Sequence, residues 1–347
     1  MVIQVYFLYN YLYDDKFYND ALYDDEGGMM EMKIPVGVSS CVTGQQVRFD
    51  GGHKKSHFVM GELAPFCEFI PVCPEVGAGM STPRPTIRQY EKHGVIRLVE
   101  TKNDAADYTD QMASFTDRVL QELGQLSQPL CGYVVAAKSP TCGMKQVKVY
   151  HDGGVRKEGV GLYTEKLMAT MPWLPVEEDG RLNDPNLREN FILRVFCLYD
   201  LYQSVGVDPT PGNVVAFHSR YKFTLMAHSP QAYRSLGRMV AHMGDSTPTE
   251  FFEQYRLALM QALAKPASRK NSTNVLMHFQ GYFKQLLQPE QKAELTRIIH
   301  EYRQGLVPLL VPVTLIQHYL TLYPNPYLAQ QHYLNPYPQA LKLRYGL

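Results

Sequence analysis

These 347 residues are poor in several things, and each shortage closes off a class of protein. There are only six cysteines, too few in a chain of this length for a disulfide scaffold. No two of them stand in a C-x-x-C spacing, which disfavours a zinc ribbon or a locally ligated ferredoxin site. No apolar run reaches the length of a membrane span. The nearest, Leu306 to Leu322, is interrupted by Pro308, Pro312, Gln317 and His318. The first residues carry neither a basic n-region nor a small-residue cleavage site, so nothing reads as a secretory signal. Reduced cysteines in a cytoplasmic protein, with no membrane partner, are the expectation. There is no internal repeat. Net charge is absent too, with 34 Lys and Arg against 34 Asp and Glu.

The charge is unevenly spread. Residues 1–31 hold seven acids and one lysine, a net of −6, along with six tyrosines. They end in Gly27-Gly28 and the candidate starts Met29, Met30 and Met32, and read as a leader, a tail or a mis-called start. Residues 201–347 hold fourteen Lys and Arg against seven Asp and Glu, a net of +7, with seven histidines. A basic domain of this kind suits a polyanion such as nucleic acid, although a solvated basic surface has the same composition.

From Lys33 to Met171 strand and helix patterns alternate. Strands are predicted at Ile34–Val38, Glu68–Val72, Val95–Val99, Gly132–Ala136 and Gln146–Tyr150. An amphipathic helix is predicted from Met112, Phe115, Val119, Leu120, Leu123 and Leu126. Such alternation predicts an α/β domain on a mostly parallel, Rossmann-like sheet. The turn-rich stretch 172–185 marks a boundary, after which only helices are expected: residues 32–172 form one domain and 173–347 an all-helical one. A terminal run of aromatic–proline pairs is expected to pack on that bundle.

Cys41, Cys73 and Cys142 each follow a predicted strand within a Gly- or Pro-marked turn. In a parallel sheet such turns gather at one edge, so the three thiols are candidates for one metal or cluster site with an open position. Cys67, Cys131 and Cys197 lie in apolar runs and read as core residues. Glu75 and Ser139 flank two of the candidate ligands. Their chemistry suits proton transfer, while helix and turn capping would explain them equally well.

Ser39-Ser-Cys41-Val-Thr-Gly44, Val47-Arg-Phe-Asp50-Gly51, Cys73-Pro-Glu75-Val-Gly77, Ser81-Thr-Pro-Arg84-Pro85 and Ser139-Pro-Thr-Cys142-Gly143 together resemble the thiouracil desulfidase (TudS) domain. Leu174-Pro-Val-Glu-Glu-Asp-Gly-Arg-Leu182, Leu187-Arg-Glu-Asn-Phe191, His218-Ser-Arg-Tyr-Lys222 and Pro266-Ala-Ser-Arg-Lys-Asn271 resemble a YbgA-type helical domain. Fusions of the two resemble tRNA 4-thiouridine desulfidases of the RudS type. The resemblance implies a [4Fe-4S] cluster held by Cys41, Cys73 and Cys142, with the fourth iron free of protein ligand. It also implies Glu75 and Ser139 as acid and base, and replacement of sulfur by water without net redox change. Cys41-Val-Thr-Gly44 stands where relatives often read Cys-Leu-Leu-Gly, a packing change that leaves the ligand in place.

Asp50, Lys54, Lys55, Thr82 and Arg84 in the first domain, and Arg220, Lys222, Arg269 and Lys270 in the second, are candidates for contact with substrate or RNA. Phosphate contacts of this type give salt-dependent, sequence-blind affinity. Three functions stay open on this reading: a desulfidase acting on 4-thiouridine in tRNA, a desulfidase of free thiouracil or thionucleosides, and a non-catalytic RNA-binding adaptor with a structural metal. The oligomeric state is not readable.

Overall fold

The computed structural model describes residues 33–206 and 209–344, so the acidic, tyrosine-rich stretch 1–31 lies outside the described residues. Two compact units divide the chain, one of Lys33–Tyr199 and one beginning at Asp200. The first holds eight strands: β1 (Ile34–Ser39), β2 (Cys67–Val72), β3 (Ile87–Lys92), β4 (Val95–Glu100), β5 (Gly132–Val135), β6 (Val147–His151), β7 (Gly154–Gly159) and β8 (Val176–Glu178). They form two four-stranded sheets rather than one layer, in the orders β2-β1-β5-β8 and β4-β3-β6-β7.

Every pairing in the first sheet is parallel. Its inner strands β1 and β5 are buried along their whole length, as their continuous apolar runs require when both faces are covered. β8 lies inside the turn-rich stretch 172–185 and pairs with β5, so residues 173–347 are not all-helical as expected: one edge strand of the first sheet falls among them. The second sheet is two hairpins, β3–β4 and β6–β7, joined through a parallel β3–β6 contact. The first hairpin turns through His93 and Gly94, both at positive φ (53° and 77°), as a tight two-residue turn matched to strand twist demands. The predicted amphipathic helix forms at Thr109–Gly124 and buries Met112, Thr116, Val119, Leu120 and Leu123.

Gly37 faces Tyr133 in the β1–β5 register, and the tyrosine ring lies over it. A Cβ there would stand 2.2 Å from the ring, in a site where Tyr133 is fully buried and its hydroxyl meets that of Tyr163 at 2.9 Å. Gly37→Ala is expected to destabilise the protein by about 1–3 kcal/mol, the usual cost of overpacking. Gly61→Ala, with nothing within 4 Å of the added atom, is expected to leave the unfolding midpoint unchanged or slightly raised. Urea titration of both variants checks the contrast.

Helices dominate the second unit. Pro211–Arg220, Lys222–His228, Pro230–Ala241, Pro248–Ala262, Arg269–Tyr282, Pro289–Gln304 and Leu310–Leu322 are its main segments. Four of them open with proline at the first helical position, where the missing N–H costs nothing. The hydroxyls of Thr210, Ser229 and Thr247 cap three of these, accepting from Asn213, Ala232 and Glu250 N–H. The terminal segment packs down as expected, with Tyr333, Leu334 and Leu341 buried. Inside the bundle Asp200, 3 % exposed, accepts from Arg220 Nη2 at 3.1 Å and sits 3.3 Å from His332 Nε2. Burial pushes His332 down to about 4, with Asp200 opposing and Arg220 reinforcing the shift, so the imidazole is neutral at pH 7. No helix among the described residues is long and apolar enough to cross a membrane.

Candidate active site

Because β2, β1, β5 and β8 run parallel, their carboxyl ends share one edge, and each delivers a polar or sulfur-bearing residue there. After β1 the chain enters the helical turn Ser40–Thr43, which carries Cys41 and closes on Gly44 at φ 103°. Cys73 follows β2, with Glu75 in the first turn of the short helix Pro74–Gly77. The ring of Phe115 occupies the space where a Cβ on Gly77 would lie, so that turn is pressed against the amphipathic helix. β5 leads to Ser139, Thr141 and Cys142, and β8 to Asp179.

Cys41, Cys73 and Cys142 line one cavity of about 310 Å³, together with Glu75, Ser139, Lys54 and Arg84. Cys41 and Cys73 are half-buried, Cys142 is buried, and none is in a disulfide. Burial pushes Cys41 up to about 11 and Cys142 to about 12, and raises Cys73 as well; around Cys41 the neighbouring Cys73 and Asp179 add to the rise, while Arg48 and Lys54 oppose it. Cys67, Cys131 and Cys197 are packed in the core, at 4 %, 1 % and 1 % exposure.

Three thiols without a histidine are a donor set that suits an iron–sulfur cluster. Among the described residues no three His, Cys, Asp or Glu side chains close on one point as ligands of one metal would. In an iron–sulfur cluster each thiolate binds a separate iron, so the thiols surround an inorganic core instead of converging on one atom. No histidine and no fourth cysteine lines the cavity, so the Cys₄ and Cys₃His sets common in structural zinc sites are not assembled there.

The carboxylate of Glu75 is held from two sides. Arg84 donates to Oε2 through Nε at 2.9 Å and, more closely, through Nη2; Thr141 Oγ1 donates to Oε1 at 2.7 Å. Ser139 Oγ is 3.5 Å from the same oxygen and 2.9 Å from Thr141 Oγ1. Thr141 thus bridges the two residues predicted as the proton-transfer pair, and it also lies 3.6 Å from Cys142 Sγ. Its sequence context gives no signal beyond a hydroxyl in a run of small residues. Ser139 Oγ further accepts from Thr141 and Cys142 N–H at 3.2 and 3.1 Å, so it caps the turn while facing the cavity. Glu75 makes no capping bond to its own helix.

The predicted contact residues are dispersed. Lys54 reaches Asp179 with both carboxylate oxygens at 3.0 Å, and Asp179 also accepts from Ala137 N–H. Arg84, 5 % exposed, directs its remaining donors at Val47 O, Ser81 O and Thr82 Oγ1, so its guanidinium is committed to the protein. Asp50 and Lys55 do not line the cavity; the Asp50 carboxylate accepts from Gly52 N–H at 3.0 Å. In the helical unit Arg220 is bound to Asp200, Arg269 donates to Tyr302 O at 3.0 Å, and Lys222 lies over the rings of Phe223 and Tyr327. Lys270 is exposed. The helix opening at Arg269 is capped by its own Ser268, which accepts from Asn271 N–H.

Comparison with known proteins gives two family matches. Residues 36–179 match the family model described as 2-thiouracil desulfurase, and residues 222–338 match DUF1722, a protein family of unknown function. The uncharacterized protein YbgA of Escherichia coli (strain K12) is 35% identical over 166 residues, which is 48% of this chain and 98% of that protein. A solved structure of a [4Fe-4S]-dependent thiouracil desulfidase, TudS, is 25% identical and aligns with 44% of this chain and 95% of its own, with a TM-score of 0.35.

Proposed function

Starting from a chain that belongs to the YbgA family and joins that helical domain to a TudS-type domain, we propose that it is a [4Fe-4S]-dependent desulfidase acting on 4-thiouridine in tRNA. The overall step is C=S + H₂O → C=O + H₂S, in which water supplies the oxygen, sulfur leaves as hydrosulfide and no electrons are exchanged. The observation that carries this reading is the cavity itself, where three thiols and one protein-held carboxylate meet at the edge of a parallel sheet.

Cys41, Cys73 and Cys142 are the residues that would hold the cluster. When bound, such a cluster supplies a Lewis-acidic iron, a soft partner for the thione sulfur. The chain itself contributes positioned proton transfer. Arg84 fixes Oε2 of Glu75, which leaves Oε1 as the oxygen that takes a proton from the attacking water. Thr141 and Ser139 hydroxyls, 2.9 Å apart, lead from that oxygen toward the substrate side of the cavity and can pass the proton on to the departing sulfur. Holding these groups before the substrate arrives lowers the cost of orienting them at the moment of reaction.

The size of the cavity, about 310 Å³, and the 2-thiouracil family match favour a second reading in which the free base is the substrate. Anaerobically purified full-length protein, offered thiolated tRNA and free 2-thiouracil in parallel, separates the two. Loss of 4-thiouridine from tRNA, followed by nucleoside chromatography, is the expected result. Unchanged 4-thiouridine in the presence of an intact cluster would end the tRNA assignment, and turnover of 2-thiouracil alone would replace it with the second reading.

A further inference from the structure

Beside the thiol cavity lies a second one, of about 440 Å³, that shares Ile87, Lys138 and Pro140 with it. Arg88, Lys138, Lys148 and Lys157 line it, and no carboxylate among the described residues does. The sheet register explains how residues so far apart in sequence meet. β3 and β6 pair in parallel with Gln89 opposite Val149, which sets Arg88 level with Lys148 and on the same face. β6 and β7 pair antiparallel with Lys148 directly opposite Lys157. Gln89 and Val149, one residue along on their strands, are 1 % exposed and face inward, so the cations face out. The result is a row of three positive charges across three adjacent strands.

Folding alone disfavours this arrangement, because like charges directly opposite in a sheet repel one another. None of the three lysines takes part in an ion pair among the described residues, while Arg88 is paired with Asp104 at 2.7 Å and lies over the rings of Tyr90 and Tyr150 at 5.3 and 5.0 Å. Two of the lining residues, Lys138 and Gln146, are held at positive φ (64° and 56°), a conformation that non-glycine residues adopt at a cost. Repulsion and backbone strain therefore coincide in one groove that opens beside the reactive cavity.

We propose that this groove binds the phosphodiester backbone flanking the thiolated pyrimidine, so that the TudS-type domain itself grips the nucleic-acid strand whose base enters the thiol cavity. The inference rests on the desulfidase reading for the identity of that base. A row of cations that extends over two inter-strand steps of about 4.8 Å each is longer than one phosphate and suits a chain of them. Arg88 and Tyr150 add a planar surface on which a neighbouring base can stack.

The test compares wild-type full-length protein with Lys148→Gln/Lys157→Gln, using fluorescence anisotropy and a labelled uridine-containing RNA oligonucleotide at several salt concentrations. Because the oligonucleotide carries no sulfur, the measurement does not depend on turnover. At least tenfold weaker binding is expected, with a log K against log [salt] slope shallower by about 1.4, the share of two single-strand phosphate contacts. Thermal stability is expected to hold or rise, since the pair repels itself. Arg118→Gln/Lys166→Gln removes the same charge from two exposed helix positions of the same unit and is expected to leave both binding quantities unchanged. Unchanged affinity and slope in the groove variant, or an equal loss in the control, would overturn the groove. Uridine monophosphate competing as strongly as the oligonucleotide would overturn the assignment to a strand. Failure to desulfurise any thiopyrimidine, with strand binding lost only in the groove variant, would count against the desulfidase reading and leave the groove standing.

Discussion

Cys41→Ala is expected to remove nearly all bound iron and acid-labile sulfide from anaerobically purified protein, together with the visible chromophore and all measurable turnover. The thiol stands in the turn after the central strand β1, between the turns that carry Cys73 and Cys142. No other cysteine or histidine lines the cavity to take its place. Two thiols cannot hold the core that three hold, so the loss should be close to complete rather than partial. Cys131→Ala supplies the comparison. That cysteine is 1 % exposed in the core, with its thiol 3.5 Å from Pro129 O, and its loss is expected to cost about 1 kcal/mol of stability with iron content intact. Iron and sulfide analysis with a visible spectrum reads both outcomes; full iron occupancy in Cys41→Ala would remove the cluster from that site.

Glu75→Gln is expected to lower kcat by about 10²- to 10⁴-fold, the range spanned by a positioned acid–base group, with iron and sulfide unchanged. The amide preserves the shape of the side chain but puts either an N–H₂ against the Arg84 guanidinium or one against the Thr141 hydroxyl, and it cannot accept the proton. A second effect accompanies the first. Arg84 is almost fully buried, and removing its counter-charge leaves the guanidinium with neutral acceptors alone, Val47 O, Ser81 O and Thr82 Oγ1 among them. Stability is expected to fall by about 3 kcal/mol, toward the cost of breaking a buried pair. Single-turnover rates together with a urea titration separate the catalytic loss from the structural one. A variant that keeps its turnover while losing stability would make Glu75 a purely structural partner of Arg84.

The strand-plus-turn signals around Cys41 and Cys142 were legible because β1 and β5, buried on both faces, are apolar almost throughout, and the one around Cys73 because the short apolar run closing β2 ends at Pro74. β3 and β7 were not. Ile87–Lys92 carries three charged residues and Gly154–Gly159 is exposed almost throughout, so neither shows the alternation that marks a half-buried strand. The Asp152-Gly153 dipeptide between His151 and Gly154 is the local feature that marks the second hairpin. Thr141 escaped notice because its role comes from the turn that aims it at Glu75. Lys148 and Lys157 are nine positions apart and become neighbours only when that hairpin closes. Basic composition was visible, but which cations are already engaged was not: Arg84, Arg220 and Arg269 all donate to protein acceptors.

One property of the first sheet limits how this architecture can vary. The turns bearing the three thiols follow neighbouring strands in the order β2, β1, β5, so the interval between hydrogen-bonded strands, about 4.8 Å, would act as the ruler for any inorganic core they hold. A strand inserted on either side of β1 would push one sulfur a full step out of reach, whatever the sequence of the turns.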